Sequence, residues 1–448
     1  MSTLRPSSLA FLVCALSAAL VLSTGCEPER PPPPGGGGGL PPGGNPNGGG
    51  DGGTPDGGAL VIRSDGSNFA AKPSCASGAS CAGPCPDGGV ICAGNCGFLA
   101  PVTLPFAGDP KDIVLGDIDK DGDDDLVTAN NDGKSVAVLL NRGNGVFQTP
   151  SFWRAGKEPT AVALEDLNGD GSLDLLVANS GDSSLGVYRG KGNGDFLAPV
   201  TTGTLGLNLN DLVVGGFGGT ARSVALLRGS EQVVSVFPVK SDGTLQTAAD
   251  YGASGGAYAL VAEDFNGDGK EDLALTHETA CGSSSSTPCQ SVGVLLGKGD
   301  GTFQAQILTS TGGTPRGLVA ARLDTDVVAD LVVADASRNQ VLVLRGQSNG
   351  RFYDAVAYPV VKAPSQLVLA DINRDFLPDV LVTSATGNQV SLLLGQSGGT
   401  FGPQVPITAW PEDVGLQGLL VSDFDADNVR DMAVLTRSGI QLLWGICR

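Results

Sequence analysis

Histidine is almost absent from this sequence, since His277 is the only one among 448 residues. Its scarcity excludes His-clustered zinc sites and two-His metal sites, and removes the most common catalytic acid and base. Positive charge is scarce too. The chain has 27 Lys and Arg residues against 47 Asp and Glu residues, which gives a net charge of −20. So acidic a chain is a poor match for a phosphate backbone, and we exclude nucleic acid as a partner. The same composition suits a protein that collects cations.

Long apolar runs are missing as well. The apolar segment Leu9–Leu22 is too short to span a membrane comfortably, and it follows the positive charge of Arg5. It leads into Ser23-Thr24-Gly25-Cys26, which resembles the attachment site of bacterial lipoproteins. We therefore expect residues 1–25 to be a lipoprotein signal peptide and Cys26 to carry lipid. The alternative is an ordinary secretory signal, which would make the protein secreted.

Glycine and proline dominate the next segment. Residues 26–71 include the run EPERPPPPGGGGGLPPGGNPNGGGDGGTPDGG, which cannot bury a core and predicts a disordered tether. Residues 72–96 contain Cys75, Cys81, Cys85 and Cys92, which predict a small disulfide knot of open pairing, with a zinc knuckle as the alternative. We expect an exported protein anchored to the bacterial envelope, at the outer membrane or cell surface. Its membrane contact would be through the lipid alone.

A unit of about 50 residues recurs after residue 107. Each unit has short apolar strands and most have a tight-turn dipeptide such as Asn144-Gly145, which favours a two-residue hairpin. Carboxylate clusters mark the units at GDIDKDGDDDLV (116–127), EDLNGDGSLDLL (165–176), EDFNGDGKEDLA (263–274) and SDFDADNVRDMA (422–433), with weaker copies at ARLDTDVVADLV (321–332) and ADINRDFLPDVL (370–381). The unit at GGFGGTARSVAL (215–226) has lost its carboxylates. Seven such units predict an all-β, seven-bladed β-propeller of four-stranded blades.

The last unit lacks its fourth strand, and a copy of that strand precedes the first unit of the repeat. It stops at GIQLLWGICR, whereas GNCGFLAPVT (94–103) nearly duplicates GNGDFLAPVT (192–201) from within the repeats. We expect the propeller to occupy 97–448, with the N-terminal strand 97–107 completing the last blade. Aligning the two copies puts Cys447 two positions from Cys96 across the missing turn, within reach of a disulfide. A second disulfide, Cys281–Cys289, would close a Ser-rich insertion.

The clusters follow the spacing D-x-D/N-x-D/N-G-x-x-D. Positions 1, 3, 5 and 9 offer side-chain oxygens, the Gly at position 6 permits a sharp bend, and a carbonyl at position 7 can complete the shell. Such hard ligands in a flexible loop suit calcium. An EF-hand would need Glu at position 12, where this chain has Thr128, Val177, Leu275 and Val434. The pattern predicts strand-loop-strand calcium sites, and the alternative is a polar turn of solvated carboxylates.

The units resemble FG-GAP/VCBS repeats, the blades of integrin α-type propellers, over residues 97–448. The resemblance implies calcium between the first and second strands of some blades. Carried over by position, the ligands are Asp117, Asp119, Asp121, Asp125, Asp166, Asn168, Asp170, Asp174, Asp264, Asn266, Asp268, Asp272, Asp423, Asp425, Asp427 and Asp431. A weaker set is Asp371, Asn373, Asp375 and Asp379, because Phe376 replaces the Gly. This gives four calcium ions, with a fifth at the weaker loop.

Two blades depart from the pattern. Asp324, Asp326 and Asp330 have Arg322 in place of the first ligand, and we expect its guanidinium to satisfy these carboxylates instead of calcium. The 215–226 loop should bind nothing. We expect calcium to stabilise the fold rather than to take part in catalysis.

The calcium loops, the tight turns and residue 96 are predicted to share one face of the ring. The opposite face would carry the Cys281–Cys289 insertion, Trp153 with Arg154, and Trp410, and would meet a protein or glycan partner. For the aromatic residues the alternative is packing between blades, and His277 is expected to be packed or capped rather than catalytic.

The sequence favours a surface-anchored binding, adhesion or scaffold module, or a purely structural role in the envelope. The alternative is a polysaccharide- or lipid-processing lyase or hydrolase. We predict no enzyme, because no Ser-His-Asp set and no catalytic Cys-His pair is evident. The integrin D-x-S-x-S metal motif is absent, so integrin ligands do not transfer.

Overall fold

The computed structural model describes residues 90–93, 96–105, 109–203, 205–206, 208–219, 222–278, 290–410 and 414–447. The predicted signal peptide, lipidated Cys26, the tether, Cys75, Cys81, Cys85 and the Cys281–Cys289 pair lie outside these residues. Within them, the only helix is a three-residue 3₁₀ turn, Ser180–Asp182. No helix in the described ranges is long and apolar enough to cross a membrane.

Short apolar segments separated by Gly- and Asp-rich turns form β-strands throughout. Before the first blade come β1 (Val90–Ala93), β2 (Cys96–Phe98) and β3 (Val102–Pro105). Blade 1 has β4 (Pro110–Gly116), β5 (Asp125–Asn130), β6 (Ser135–Leu139) and β7 (Ser151–Arg154), and blade 2 has β8 (Pro159–Glu165), β9 (Asp174–Asn179), β10 (Ser184–Tyr188) and β11 (Val200–Thr202). Blade 3 has β12 (Leu209–Gly215), β13 (Ser223–Arg228), β14 (Val233–Pro238) and β15 (Ala249–Gly252), and blade 4 has β16 (Ala257–Glu263), β17 (Asp272–His277), β18 (Ser291–Leu295) and β19 (Ile307–Ser310).

The remaining blades repeat this plan. Blade 5 has β20 (Pro315–Ala321), β21 (Asp330–Asp335), β22 (Gln340–Leu344) and β23 (Val356–Pro359), and blade 6 has β24 (Pro364–Ala370), β25 (Asp379–Ser384), β26 (Val390–Gln396) and β27 (Thr400–Ile407). Blade 7 has β28 (Leu416–Ser422), β29 (Asp431–Thr436) and β30 (Gly439–Leu443), and β31 (Gly445–Cys447) ends the chain's described part. The first strand of every blade contacts the first strand of the next, and β28 contacts β4, so the blades form a closed ring. The predicted all-β, seven-bladed propeller is confirmed.

The two chain ends meet in blade 7. Strand β3 is its fourth strand and pairs with β30, with Val102 opposite Leu442. The predicted strand 97–107 is divided, because β2 instead joins β1 and β31 in a separate three-stranded sheet. There Cys96 lies directly opposite Cys447, closer in register than the sequence alignment placed it. The disulfide between them stays a prediction.

The core lies between blades. Each apolar cluster combines residues from two neighbouring blades, as where Phe147 of blade 1 meets Phe424 of blade 7 with ring centroids 5.8 Å apart. Trp153 packs edge-on against Phe196 of blade 2 at 5.8 Å, and Trp410 is 4% exposed. His277 is completely buried, and its Nε2 lies 2.9 Å from Gln306 Nε2. The structure therefore supports packing for these three residues.

Candidate metal centres

The loop between the first and second strands has one conformation in five blades. These carboxylate loops are 117–125, 166–174, 264–272, 371–379 and 423–431, numbered below as positions 1 to 9. Positions 4 and 6 take left-handed backbone angles in all five, at Lys120, Gly122, Gly169, Gly171, Gly267, Gly269, Arg374, Phe376, Ala426 and Asn428. Because non-Gly residues adopt this region at a cost, its repetition indicates that the loop geometry is imposed by the fold. The weaker loop of blade 6 has the same backbone as the four intact ones.

The first carboxylate of each loop organises the turn. In blade 1, Asp117 accepts hydrogen bonds from the backbone N–H groups of Asp121 and Gly122, both at 3.1 Å. The same pair of bonds recurs at Asp166, Asp264, Asp371 and Asp423, at 2.7–3.2 Å. The carboxylates are thereby gathered around one point. Oxygens of Asp117, Asp119 and Asp121 lie within 4.8 Å of one another, as do those of Asp423, Asp425 and Asp431.

The ninth carboxylate has a role that the sequence did not reveal. Asp125 accepts the N–H groups of Ile118 and Asn141, both at 2.8 Å, so it joins the loop to the end of the third strand. Equivalent bonds are made by Asp174, Asp272, Asp330, Asp379 and Asp431. The sequence contained one indication of this structural role. Blade 5 keeps Asp330 at position 9, although Arg322 replaces the first ligand of its loop. Position 9 is therefore a structural clamp as well as a candidate ligand.

Burial makes these clamp carboxylates hard to ionise without a cation. Burial raises the pKa of Asp125 to about 8 and that of Asp272 to about 7, against the opposing effect of their backbone donors. For Asp174 and Asp379 burial raises the pKa to about 6. Neighbouring loop carboxylates raise each value further. A divalent cation among these oxygens would favour the charged forms and relieve the repulsion.

The described residues fit calcium better than other metals. They offer carboxylate, amide and backbone oxygens and the hydroxyl of Ser172, with no sulfur or imidazole at any of the five loops. The left-handed residues curve the chain so that several oxygens converge. Three predicted positions come together in space in the blade 1 loop and three in the blade 7 loop. The loop with Phe376 shares the backbone conformation of these loops.

Blade 5 departs from this geometry. Neither Thr325 nor Val327 has a left-handed backbone there. A guanidinium does contact the carboxylates, but it belongs to Arg345, whose Nη1 lies 2.7 Å from Asp330 and 3.4 Å from Asp324. The prediction that Arg322 would make this contact was wrong. Arg322 instead offsets the burial-raised pKa of Glu263 in blade 4.

Blade 3 replaces its lost carboxylates with help from blade 4. Its loop is one residue shorter, since Gly215 pairs with Ser223 where Gly116 pairs with Asp125 in blade 1. Glu271 reaches across from blade 4 and accepts the N–H of Gly216 at 2.6 Å. A neighbouring side chain therefore holds this loop.

The loops between the first and second strands of blades 7, 1 and 3 also form part of the seams between blades. Gly145, in the tight turn of blade 1, donates its N–H to Phe424 O in the blade 7 loop at 3.0 Å. Gly194 and Gly301 make the corresponding bonds to Ile118 O and Phe217 O at 3.4 and 2.9 Å. The loops and the tight turns thus share one face, as predicted. Gly445 of the terminal sheet donates to Asp431 at 2.7 Å, which puts the chain entrance on this carboxylate face.

Phe376 allows a direct test of the loop geometry. It has a φ of 66° and is 93% exposed, so it bears the strain of a left-handed backbone and buries almost nothing in return. We expect Phe376→Gly to stabilise the protein by about 0.5–1 kcal/mol, measured by urea denaturation. Val327→Gly is the matched control, because Val327 holds the same loop position without the left-handed angle. Equal effects in the two variants would contradict the strain argument.

Comparisons with known proteins agree with this architecture. The model of the FG-GAP-like repeat matches residues 117–177, 166–219 and 322–382. A search of curated proteins finds no match. Among solved structures, BBS1N in complex with ARL6DN is similar at 13% identity with a TM-score of 0.54, covering 78% of this chain and 97% of that one.

Two further structures share the fold. One is an Agrocybe aegerita lectin that recognises non-reducing terminal N-acetylglucosamine, at 18% identity and a TM-score of 0.50, over 76% of this chain and 86% of the lectin. The other is a catalytically inactive virginiamycin B lyase from Staphylococcus aureus with quinupristin. Its identity is 11% and the TM-score is 0.51, and the match covers 76% of this chain and 97% of the lyase. At these identities the likeness concerns the fold alone. The chain is a seven-bladed β-propeller in which residues 117–219 and 322–382 match the FG-GAP-like repeat.

Proposed function

We propose that this protein is a calcium-stabilised binding or scaffold module, anchored to the bacterial envelope through Cys26. The observation that carries the calcium proposal is the shared geometry of the five carboxylate loops. In each of them the first carboxylate accepts the same two N–H groups and the chain makes the same two left-handed bends. When bound, calcium would neutralise the crowded carboxylates and hold each loop against the next blade.

The residues proposed to hold the ions are the ligands predicted in the four intact loops, together with Asp371, Asn373, Asp375 and Asp379 in blade 6. The proposed role of calcium is structural. The only histidine of the chain is completely buried, which disfavours a catalytic role for it.

We place the partner surface on the face opposite the carboxylate loops. The chain enters the propeller on the carboxylate face, where Gly445 and β2 lie, so a tether from Cys26 would hold that face toward the membrane. The far face, with its second-to-third-strand loops, would then point outward. A protein or glycan is the class of partner proposed, and the similar folds include a protein complex and a glycan-binding lectin.

The experiment is a calorimetric calcium titration of the soluble fragment 72–448. We expect about five ions in the wild type, because five loops share the cation-ready geometry. Asp117→Asn combined with Asp119→Asn should remove one ion, since both oxygens converge in the blade 1 loop. Asp324→Asn in blade 5 is the matched control and should remove none. No calcium binding in the wild type would contradict the proposal.

A further inference from the structure

Blade 5 carries a cation of its own at the place where the other loops gather their carboxylates. Arg345 Nη1 lies 2.7 Å from Asp330 and 3.4 Å from Asp324, which hold positions 9 and 3 of the loop. Asp330 is 1% exposed and its other oxygen accepts the N–H of Gly346 at 2.8 Å. A charge-assisted hydrogen bond to so buried a carboxylate is strong and geometrically defined. The guanidinium thus neutralises the two carboxylates that would otherwise repel each other.

The same guanidinium reaches the neighbouring blade. Arg345 Nη2 donates to Gly398 O at 2.7 Å and to Gly399 O, both in the tight turn of blade 6. Arg345 directly follows the third strand of its blade, and we call the residue at this register the seam residue. The seam residue packs beneath the turn glycine of the next blade, as Leu140 does beneath Gly194.

Blades 1 and 4 fill this register with apolar side chains, Leu140 and Leu296. A Cβ atom added at Gly194 would lie 2.6 Å from Leu140, and one added at Gly350 would lie 2.8 Å from Leu296. In those two seams the seam residue contributes van der Waals contact. In blade 5 the seam residue adds charge and hydrogen bonds to the packing.

Blade 2 shows that an arginine at this register is not enough. Arg189 is its seam residue, and its Nη1 donates to Asp242 O in blade 3 at 3.4 Å. Among the described residues no ion pair joins Arg189 to the blade 2 carboxylates, and that loop keeps Asp166 with its bonds to Asp170 and Gly171. The guanidinium enters the loop only in blade 5, where the first carboxylate is missing and the left-handed bends are lost.

We propose that Arg345 is a permanent internal cation that takes the place of a metal ion in blade 5 and fastens blade 5 to blade 6. This seam is then independent of calcium, whereas the carboxylate loops elsewhere depend on a removable ion. The comparison with calcium rests on the proposed function, but the fastening of the seam does not.

The seam is tested with Arg345→Leu, which keeps the apolar packing found at Leu140 and Leu296 and removes the charge. In excess chelator we expect its melting temperature to fall by about 5 °C, because Asp330 is left buried without its cation. Arg189→Leu is the matched control and should cause a clearly smaller fall. Equal falls in the two variants would overturn the proposed fastening role.

The replacement of a metal is tested by rebuilding the loop. The variant Arg322→Asp/Val327→Gly/Arg345→Leu restores the first carboxylate and the flexible sixth position and removes the guanidinium. Native mass spectrometry with calcium should show one ion more than in the wild type. The variant Arg322→Asp/Val327→Gly retains Arg345 and should show no extra ion.

The outcomes separate the two proposals. If the wild type binds calcium and the rebuilt loop gains no ion, Arg345 does not stand at a cation position. An extra ion in both variants would overturn the replacement as well. If the wild type binds no calcium but Arg345→Leu still melts lower than Arg189→Leu in chelator, the proposed function fails and the fastening of the seam stands.

Discussion

Chelation of calcium is expected to lower the melting temperature of fragment 72–448 by about 20 °C. At a free calcium concentration of 100 times the Kd, each site stabilises the folded state by about 2.7 kcal/mol, because the ion binds the folded loop and not the unfolded chain. Five such sites together rival the whole free energy of unfolding of an ordinary domain, about 5–15 kcal/mol. For a chain of this size 1 kcal/mol corresponds to roughly 1.5 °C.

The effect should extend beyond the loops, because they hold the seams. The carbonyl of Phe424 in the blade 7 loop accepts both Gly145 N–H at 3.0 Å and Asn141 Nδ2–H at 2.8 Å from blade 1. An ion that fixes Asp423 and its loop therefore fixes the neighbouring blade too. We expect the loss of calcium to loosen blade–blade contacts rather than single loops.

The measurement is differential scanning calorimetry in calcium, in magnesium and in chelator. Magnesium should protect less than calcium, because it demands a stricter geometry and keeps its waters. Asp324→Asn is again the control, and the calcium-dependent part of its melting temperature should match that of the wild type. A melting temperature that is the same with calcium and with chelator would contradict the structural role.

The sequence predicted the fold well because each repeat unit is marked by features that lie close together in the sequence. Period, turn dipeptides and the displaced strand predicted seven blades. The sequence could not predict contacts between residues that are far apart within one repeat unit. The sequence predicts Arg322 as the partner in blade 5 because it stands in the first ligand's place, yet the third strand brings Arg345 to the same carboxylates from 15 residues beyond Asp330.

The candidate sites show the same limit. Position 9 was predicted as a ligand from spacing alone, and its second role depends on a residue such as Asn141, which only the pairing of strands brings near. Phe376 weakened the prediction for blade 6 because Gly is preferred at positive φ. The fold nevertheless imposes the left-handed angle on Phe376, because the Asp371 carboxylate accepts the N–H groups of Asp375 and Phe376 and thereby determines the turn.

Trp444 is expected to be the most sensitive single residue of the ring closure. It is the seam residue of blade 7, is 0% exposed, and lies beneath Gly145 of blade 1, where an added Cβ would collide with its ring. Its carbonyl accepts the N–H of Leu99 at 2.8 Å, from the N-terminal segment that leads into β3. The residue thus contacts the last blade, the first blade and the strand that joins them.

Trp444→Ala should destabilise the protein by about 3–5 kcal/mol, measured by urea denaturation, because it leaves a large cavity in a close-packed core. Leu296→Ala, at the seam between blades 4 and 5, is the comparison, with a cost of about 2–5 kcal/mol. Stability alone does not separate the two, so the deciding readout is amide hydrogen exchange at Val102, Thr103 and Leu104 of β3. Trp444→Ala should release the protection of β3, because the strand loses the core beneath it while the rest of blade 7 stays paired. Leu296→Ala should leave that protection in place, and a loss of protection in both variants, or in neither, would contradict a closure that depends on Trp444.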